Sequence, residues 1–257
     1  MALTPQGPLG RFLHRRIRNR LRAAAQAAPD ASLATLRAQR KQAKQLLGPL
    51  HSLRHTADMR LNLPRLGSNA FEKPAGTDWS WRPKAWLAAL PERGLAPAIS
   101  KSTFSNELGV FHDCLHGEIT LRQQRNTREQ DFAPFGLCLE VFHFAGSYLS
   151  LVVEIPPASC EGLRKRHLLQ LSAVIDRERP INIYARLNVK HGPNVEQILL
   201  TLPDETEQTA DEFDLAYSQL NEDRAERMWV DLMFENPSMN QITLRDLTFS
   251  RYPRAEI

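Results

Sequence analysis

Long apolar runs are missing from this 257-residue sequence. The stretch "LSLVV" at 149–153 is typical of those present, whereas a membrane-spanning helix needs roughly 20 mostly apolar residues. No transmembrane helix is expected. The N-terminus, "MALTPQGPLGRFLHRRIRNRLR", has no apolar stretch before a cleavage site and is not expected to act as a secretory leader. Cysteine is scarce. Cys114, Cys138 and Cys160 are odd in number and scattered, which argues against a disulfide framework and for reduced thiols in a cytoplasmic protein. Motifs that would fix a reaction are also missing. There is no P-loop, no G-x-G-x-x-G and no G-x-S-x-G.

Acidic residues are nearly missing from the first quarter of the chain. Residues 1–66 hold 13 Lys/Arg against 2 acids, Asp30 and Asp58, a net +11. The remainder holds 20 basic and 27 acidic residues, a net −7. The chain is read as a basic arm joined to a mildly acidic body. In the arm, Phe12, Leu13, Ile17 and Leu21 recur at helical spacing, and Arg11, Arg15, Arg18 and Arg22 run along another face. Such a helix over residues 9–24 suits an anionic membrane surface or nucleic-acid phosphates, with a peripheral place at the inner membrane in the first case. It equally suits a docked or solvated terminal helix. Phe12 is the only aromatic residue there, which weakens single-strand nucleic-acid binding. "APDAS" at 28–32 predicts a break, and the pattern from Leu33 to Leu61 a second helix, kinked or split at Gly48-Pro49.

Residues 67–98 are rich in Pro, Gly, Ser and Asn and read as irregular chain. They nevertheless contain Trp79, Trp81 and Trp86, which predicts a linker pinned to the body by its tryptophans. Arg82 is placed to stack on a ring or to reach an acid. Beyond residue 99 the apolar pattern turns to period two in about ten short runs. That rhythm predicts an antiparallel β-sandwich of jelly-roll type over 99–257. "FAGSY" at 144–148 reads as a hairpin turn and "EFDLAYS" at 212–218 as a strand. In 241–251 the apolar phase switches between Ile242/Leu244 and Leu247/Phe249, which predicts a bulge at Arg245-Asp246.

The strings "WVDLMFENPSMNQITLRDLTFSRYPRAEI" and "RPINIYARLNVKHGPN", with "FHDC" and "TDWSWRP", resemble an alphaproteobacterial family of unknown function. The resemblance covers most of 60–257. It implies no known activity, so no catalytic residue is carried over. The strand rhythm is also similar to galactose-binding-like and carbohydrate-binding jelly rolls, an analogy at fold level.

Three sets of residues invite a functional reading. Tyr184, Arg186, Asn188 and Lys190 share one face of a strand, and Trp229 and Asp231 share a face of another. Rings beside planar hydrogen-bonding groups suit a sugar or an anionic glycan, while an Arg186–Asp231 pair on a solvated face explains the same residues. In "FHDCLHGE" at 111–118, His112, Cys114 and His116 would share a face if the strand ran straight, a set suited to zinc or copper. Strand histidines and a buried cysteine account for it without metal. The arm arginines form the third set. The reading is a non-enzymatic binding or scaffold protein, with no cofactor, a β-sandwich for a glycan or protein partner and a basic arm for an anionic surface. The alternatives are a carbohydrate-active or metal-dependent enzyme on the same sandwich, and nucleic-acid binding through the arm.

Overall fold

A computed structural model describes residues 7–61, 71–128, 130–203 and 206–254, with side chains at 7–11, 13, 14, 55 and 58–61 outside the description. The chain divides into two compact units, Met1–Arg54 and His55–Ile257.

The first unit is helical. Helix α1 spans Gly7–Ala27 and a 3-10 turn follows at Ala28–Asp30, where Pro29 ends the α-helical run. Ser32 then caps α2 (Leu33–Leu61), its Oγ accepting from the Thr35 N–H at 3.3 Å. The helix is continuous through Pro49, where the missing N–H leaves the Gln45 carbonyl without its helical partner.

The second unit is a mainly β, jelly-roll-like sandwich. Among the described residues its strands are β1 (Trp79–Trp81), β2 (Gly94–Leu95), β3 (Ser102–Ser105), β4 (Leu108–His112), β5 (Glu118–Arg125), β6 (Phe135–His143), β7 (Leu149–Ile155), β8 (His167–Arg177), β9 (Ile183–His191), β10 (Asn194–Leu202), β11 (Gln208–Asp214), β12 (Ala225–Phe234) and β13 (Asn240–Pro253). Sheet I runs β11-β8-β13-β6-β5-β2, with β1 also paired to β13. Sheet II runs β10-β9-β12-β7-β4-β3. The pairings are antiparallel. Alternate residues fill the space between the sheets, Ile183, Ala185, Leu187 and Val189 from β9 and Met228, Val230, Leu232 and Phe234 from β12 among them. Burying one such side chain contributes about 1.5–3 kcal/mol, so the strand periodicity sets which face is core and which is free.

Strand β13 is the organising element. It pairs with β8 along its length, and the register slips between Leu244 and Asp246. The expected bulge is therefore present. It lets Ile242 and Leu244 before it and Leu247 and Phe249 after it all reach the core. Side chains from distant segments occupy the polar groups that the bulge leaves. Trp86, fully buried in the short helix α3 (Lys84–Leu87), donates its Nε1–H to the Leu244 carbonyl at 2.9 Å. Asn126 donates to the Arg245 carbonyl at 2.8 Å. Arg82 reaches Asp246 with two hydrogen bonds.

Two local expectations are corrected. Residues 144–148 do not form a hairpin, because β6 lies in sheet I and β7 in sheet II, so the segment crosses between the sheets. Asp113 anchors it, accepting from the Ser147 and Tyr148 N–H groups. At 212–218 the strand stops at Asp214, whose carboxylate caps a 3-10 turn over Leu215–Tyr217 by accepting from the Ala216 N–H.

Candidate ligand-binding face

The outer face of sheet II brings the strand candidates together in registered rows. Asn188 stands beside Trp229, and Arg186 beside Asp231. The rows extend onto neighbouring strands. Leu199, Arg186, Asp231, Val152 and Gly109 form one. Thr201, Tyr184, Met233, Ser150 and Phe111 form the next. Gln197, Asn188, Trp229 and Glu154 form the third.

Four of these outward residues are nearly sealed: Asn188 is 1% exposed, Asp231 5%, Ser150 7% and Val152 9%. An ordinary solvated sheet face leaves outward side chains open, so this centre is recessed between taller neighbours. Phe111 helps to form the recess. A Cβ on Gly109 would lie 3.1 Å from the Phe111 ring, so the glycine lets that ring lie down along the sheet. Phe111 and Tyr184 in the row on one side of the Arg186–Asp231 row, and Trp229 in the row on the other, flank a polar centre.

That centre is held rigidly. Arg186 Nε and Nη2 donate to Asp231 Oδ2 at 3.0 and 2.7 Å, and Asn188 Nδ2 donates to the same oxygen at 3.0 Å. Gln197 Nε2 donates to Asn188 Oδ1 at 3.0 Å. The hydroxyl of Tyr184 and the amide of Asn182 both donate to Glu235 Oε2 at 2.9 Å. These bonds hold the Glu235 carboxyl below the usual range, and the Glu235 partner pushes the Tyr184 phenol up. Lys190 pairs with Glu226 at 2.9 Å. Arg227 pairs with Glu154 and lies 4.9 Å from the Trp229 ring centroid. The cations of this face are thus each engaged by a carboxylate. Asp231 and its neighbours form a fixed array of amide, carboxylate and guanidinium groups beside aromatic rings. The pairing of Arg186 with Asp231 that a solvated face would also give is present. The sequence reading missed Phe111 and Val152. Their signal was the period-two pattern of their strands, which places them on the same face once the strand order is known.

The other candidates separate. Strand β4 ends at His112, so "FHDCLHGE" turns where a shared face would have needed straight chain. His112 is buried with Nε2 donating to the Ala98 carbonyl at 3.1 Å, its Nδ1 buried without a partner among the described residues. The buried Cys114 Sγ accepts from the Ala145 N–H, and His116 is exposed. Among the described residues no three His, Cys, Asp or Glu side chains converge on a metal-sized site. In the arm, Arg15, Arg18 and Arg22 are exposed on α1, and the side chain of Arg11 lies outside the described residues. No described helix is long and apolar enough to cross a membrane.

The model of a family of unknown function, DUF6478, matches residues 1–257. No curated protein matches the chain. Among solved structures it is similar to the enzymatically active domain of tailspike protein 4 of bacteriophage CBA120, at 8% identity and a TM-score of 0.41, over 56% of this chain and 19% of that one. It is also similar to the family 11 carbohydrate-binding module of Clostridium thermocellum, solved with a β-1,3-1,4-mixed-linked tetrasaccharide, at 11% identity and a TM-score of 0.40, over 62% of this chain and 96% of that one. A third is the C-terminal family 22 carbohydrate-binding module of Clostridium thermocellum Xyn10B, at 9% identity and a TM-score of 0.37, over 72% of this chain and 99% of that one.

Proposed function

This chain belongs to DUF6478, a family of unknown function, and we propose that its sandwich is a binding module that takes a neutral glycan on the outer face of sheet II. The observation that carries the reading is the recessed, internally bonded centre, with Asn188 and Asp231 nearly sealed on an outward face. A preorganised polar array loses little conformational entropy when a ligand arrives. The flanking rings of Trp229, Tyr184 and Phe111 offer apolar surface to the C–H faces of a sugar, and the exposed Gln197, Asn182 and Glu235 around the sealed centre match its hydroxyls. Because Arg186, Lys190 and Arg227 are already paired with acids, an anionic glycan gains little here.

The test is a glycan array followed by calorimetry. Trp229→Ala is expected to weaken binding roughly tenfold or more, as truncation of a central aromatic anchor does. A selective neutral glycan whose affinity ignores Trp229→Ala, Phe111→Ala and Asn188→Ala together would overturn the assignment of this face.

A second reading concerns the arm. Arg15, Arg18 and Arg22 make no ion pair among the described residues, in contrast to the paired cations of the sandwich. We infer that α1 attaches the protein to an anionic membrane surface. Co-sedimentation with vesicles containing phosphatidylserine should fall as salt rises and be lost on deleting residues 1–54. Equal or stronger salt-dependent binding to duplex DNA would favour nucleic acid instead.

A further inference from the structure

Sheet I also has an outer face, and its register builds a trough there. Ala210, Ser172 and Thr248 lie side by side across β11, β8 and β13. Glu212 with Gln170 flanks this row on one side, and Gln208 with Val174 on the other. A row of short side chains between rows of longer ones leaves a groove across the strands. Phe71, Phe132 and Tyr252 line it, and it encloses about 710 Å³, inside the roughly 300–1,000 Å³ of small-ligand sites. A second hollow of about 250 Å³ shares Phe132, Val174 and Gln208 with it and continues toward Arg128 and Arg245.

The charges in these hollows decide the ligand class. Arg128 is bound by Asp131, Asp176 and Glu207. Arg245 is bound by Asp131 and Asp176. Lys73 sits over the Phe71 ring, 5.2 Å from its centroid. On the acidic side, Asp246 is bound by Arg82, and Glu212 accepts from the Tyr252 hydroxyl. Neither guanidinium is free for a phosphate or carboxylate. Beyond these paired groups, Glu72 and Lys73 line the groove as adjacent charges of opposite sign, and the other polar groups facing it are amides and hydroxyls beside aromatic rings. The Gln208 amide makes no hydrogen bond among the described residues, and Gln170 Oε1 has only a 3.4 Å contact from Ser172 Oγ. Phe132 is 62% exposed, a large ring presented to solvent beside these amides.

We infer that this groove is a second binding site, independent of the sheet II face, for a neutral oligosaccharide. The amides and hydroxyls take the sugar hydroxyls, and Phe132 and Tyr252 pack against the pyranose rings. The sandwich then holds glycan on both of its outer faces.

The test uses the full chain with β-linked gluco-, xylo- and mannohexaose in calorimetry. Phe132→Ala removes an exposed ring, and Ala210→Trp fills the trough from an exposed position, so neither disturbs the core. Thermal unfolding checks that the variants fold. Groove binding should persist in Trp229→Ala, weaken roughly tenfold in Phe132→Ala and vanish in Ala210→Trp. Binding that survives Ala210→Trp unchanged but is lost in Trp229→Ala overturns the inference and leaves the sheet II reading standing. Binding lost only in the groove variants upholds the inference and removes the sheet II reading. No binding of any of the three hexasaccharides overturns both.

Discussion

The Arg82 guanidinium donates to both oxygens of the Asp246 carboxylate, at 2.9 and 2.8 Å, across 164 residues of sequence. Arg82 is 1% exposed and Asp246 8%. Burial pushes the Asp246 carboxyl up, and Arg82 opposes that shift. A buried ion pair is weak evidence of net stability, but removing one partner strands the other charge. Arg82→Met should therefore cost about 3–5 kcal/mol. At about 2–4 °C per kcal/mol for a domain of this size, the melting temperature should fall by roughly 6–20 °C. Arg82→Met with Asp246→Leu should recover much of the loss. Thermal unfolding of the cycle checks this, and a double variant as unstable as the single one would contradict the account.

The same bulge makes Gly136 a sensitive position. A Cβ there would sit 2.9 Å from the Leu244 carbonyl oxygen and 3.1 Å from the Arg245 Cα, both backbone atoms of β13. Backbone cannot rotate away as a side-chain tip can, so Gly136→Ala must push β6 and β13 apart at the site where Trp86 and Asn126 hold it. Overpacking of this kind costs typically 1–3 kcal/mol. The denaturant midpoint of Gly136→Ala should therefore fall, and a midpoint equal to that of the unaltered protein would contradict the account.

The bulge was legible because burial on both sides of β13 forces the apolar phase to switch at a single place, Arg245-Asp246. The faces of β9 and β12 were legible for the same reason. Each has a continuous alternation whose apolar half is now core. Other features rest on long-range geometry that periodicity does not encode. Trp79–Trp81 is a three-residue strand only because β13 offers it a partner. Residues 144–148 resemble a hairpin locally and cross between sheets because β7 finds β4 and β12. Alternation placed four candidate residues on a face of β9 and two on a face of β12, and the pairing of those strands makes the two faces one. Their hydrogen-bonded array and the recess around it depend on strand order, which brings Gly109 beside Val152 and Phe111 beside Ser150. The trough on sheet I was hidden for the same reason: Ala210, Ser172 and Thr248 are unremarkable until three strands align them.

His167 should give the protein a pH-dependent stability that begins well above the carboxylate range. The ring is buried, its Nδ1 accepts the Arg164 N–H at 3.0 Å, and Nε2 lies 3.5 Å from Asp78 Oδ2. Burial pushes its pKa below the ordinary 6.5, Asp78 opposes this, and Arg251 and Arg166 add to it. As pH falls, the unfolded chain takes up the proton at about 6.5 while the folded protein resists, so stability is full above 6.5 and declines below it. Glu140 and Glu222 are shifted below their ordinary 4.5, chiefly by the Arg122 bond and the Lys165 N–H respectively. Their contribution is present above 4.5 and is lost as pH falls from there. Urea midpoints should thus decline in two stages, the first beginning below about pH 6.5 and the second below about 4.5. His167→Gln should flatten the first stage and leave the second. A variant whose midpoint still declines with the wild-type slope between pH 7 and 5 would assign that stage to another group.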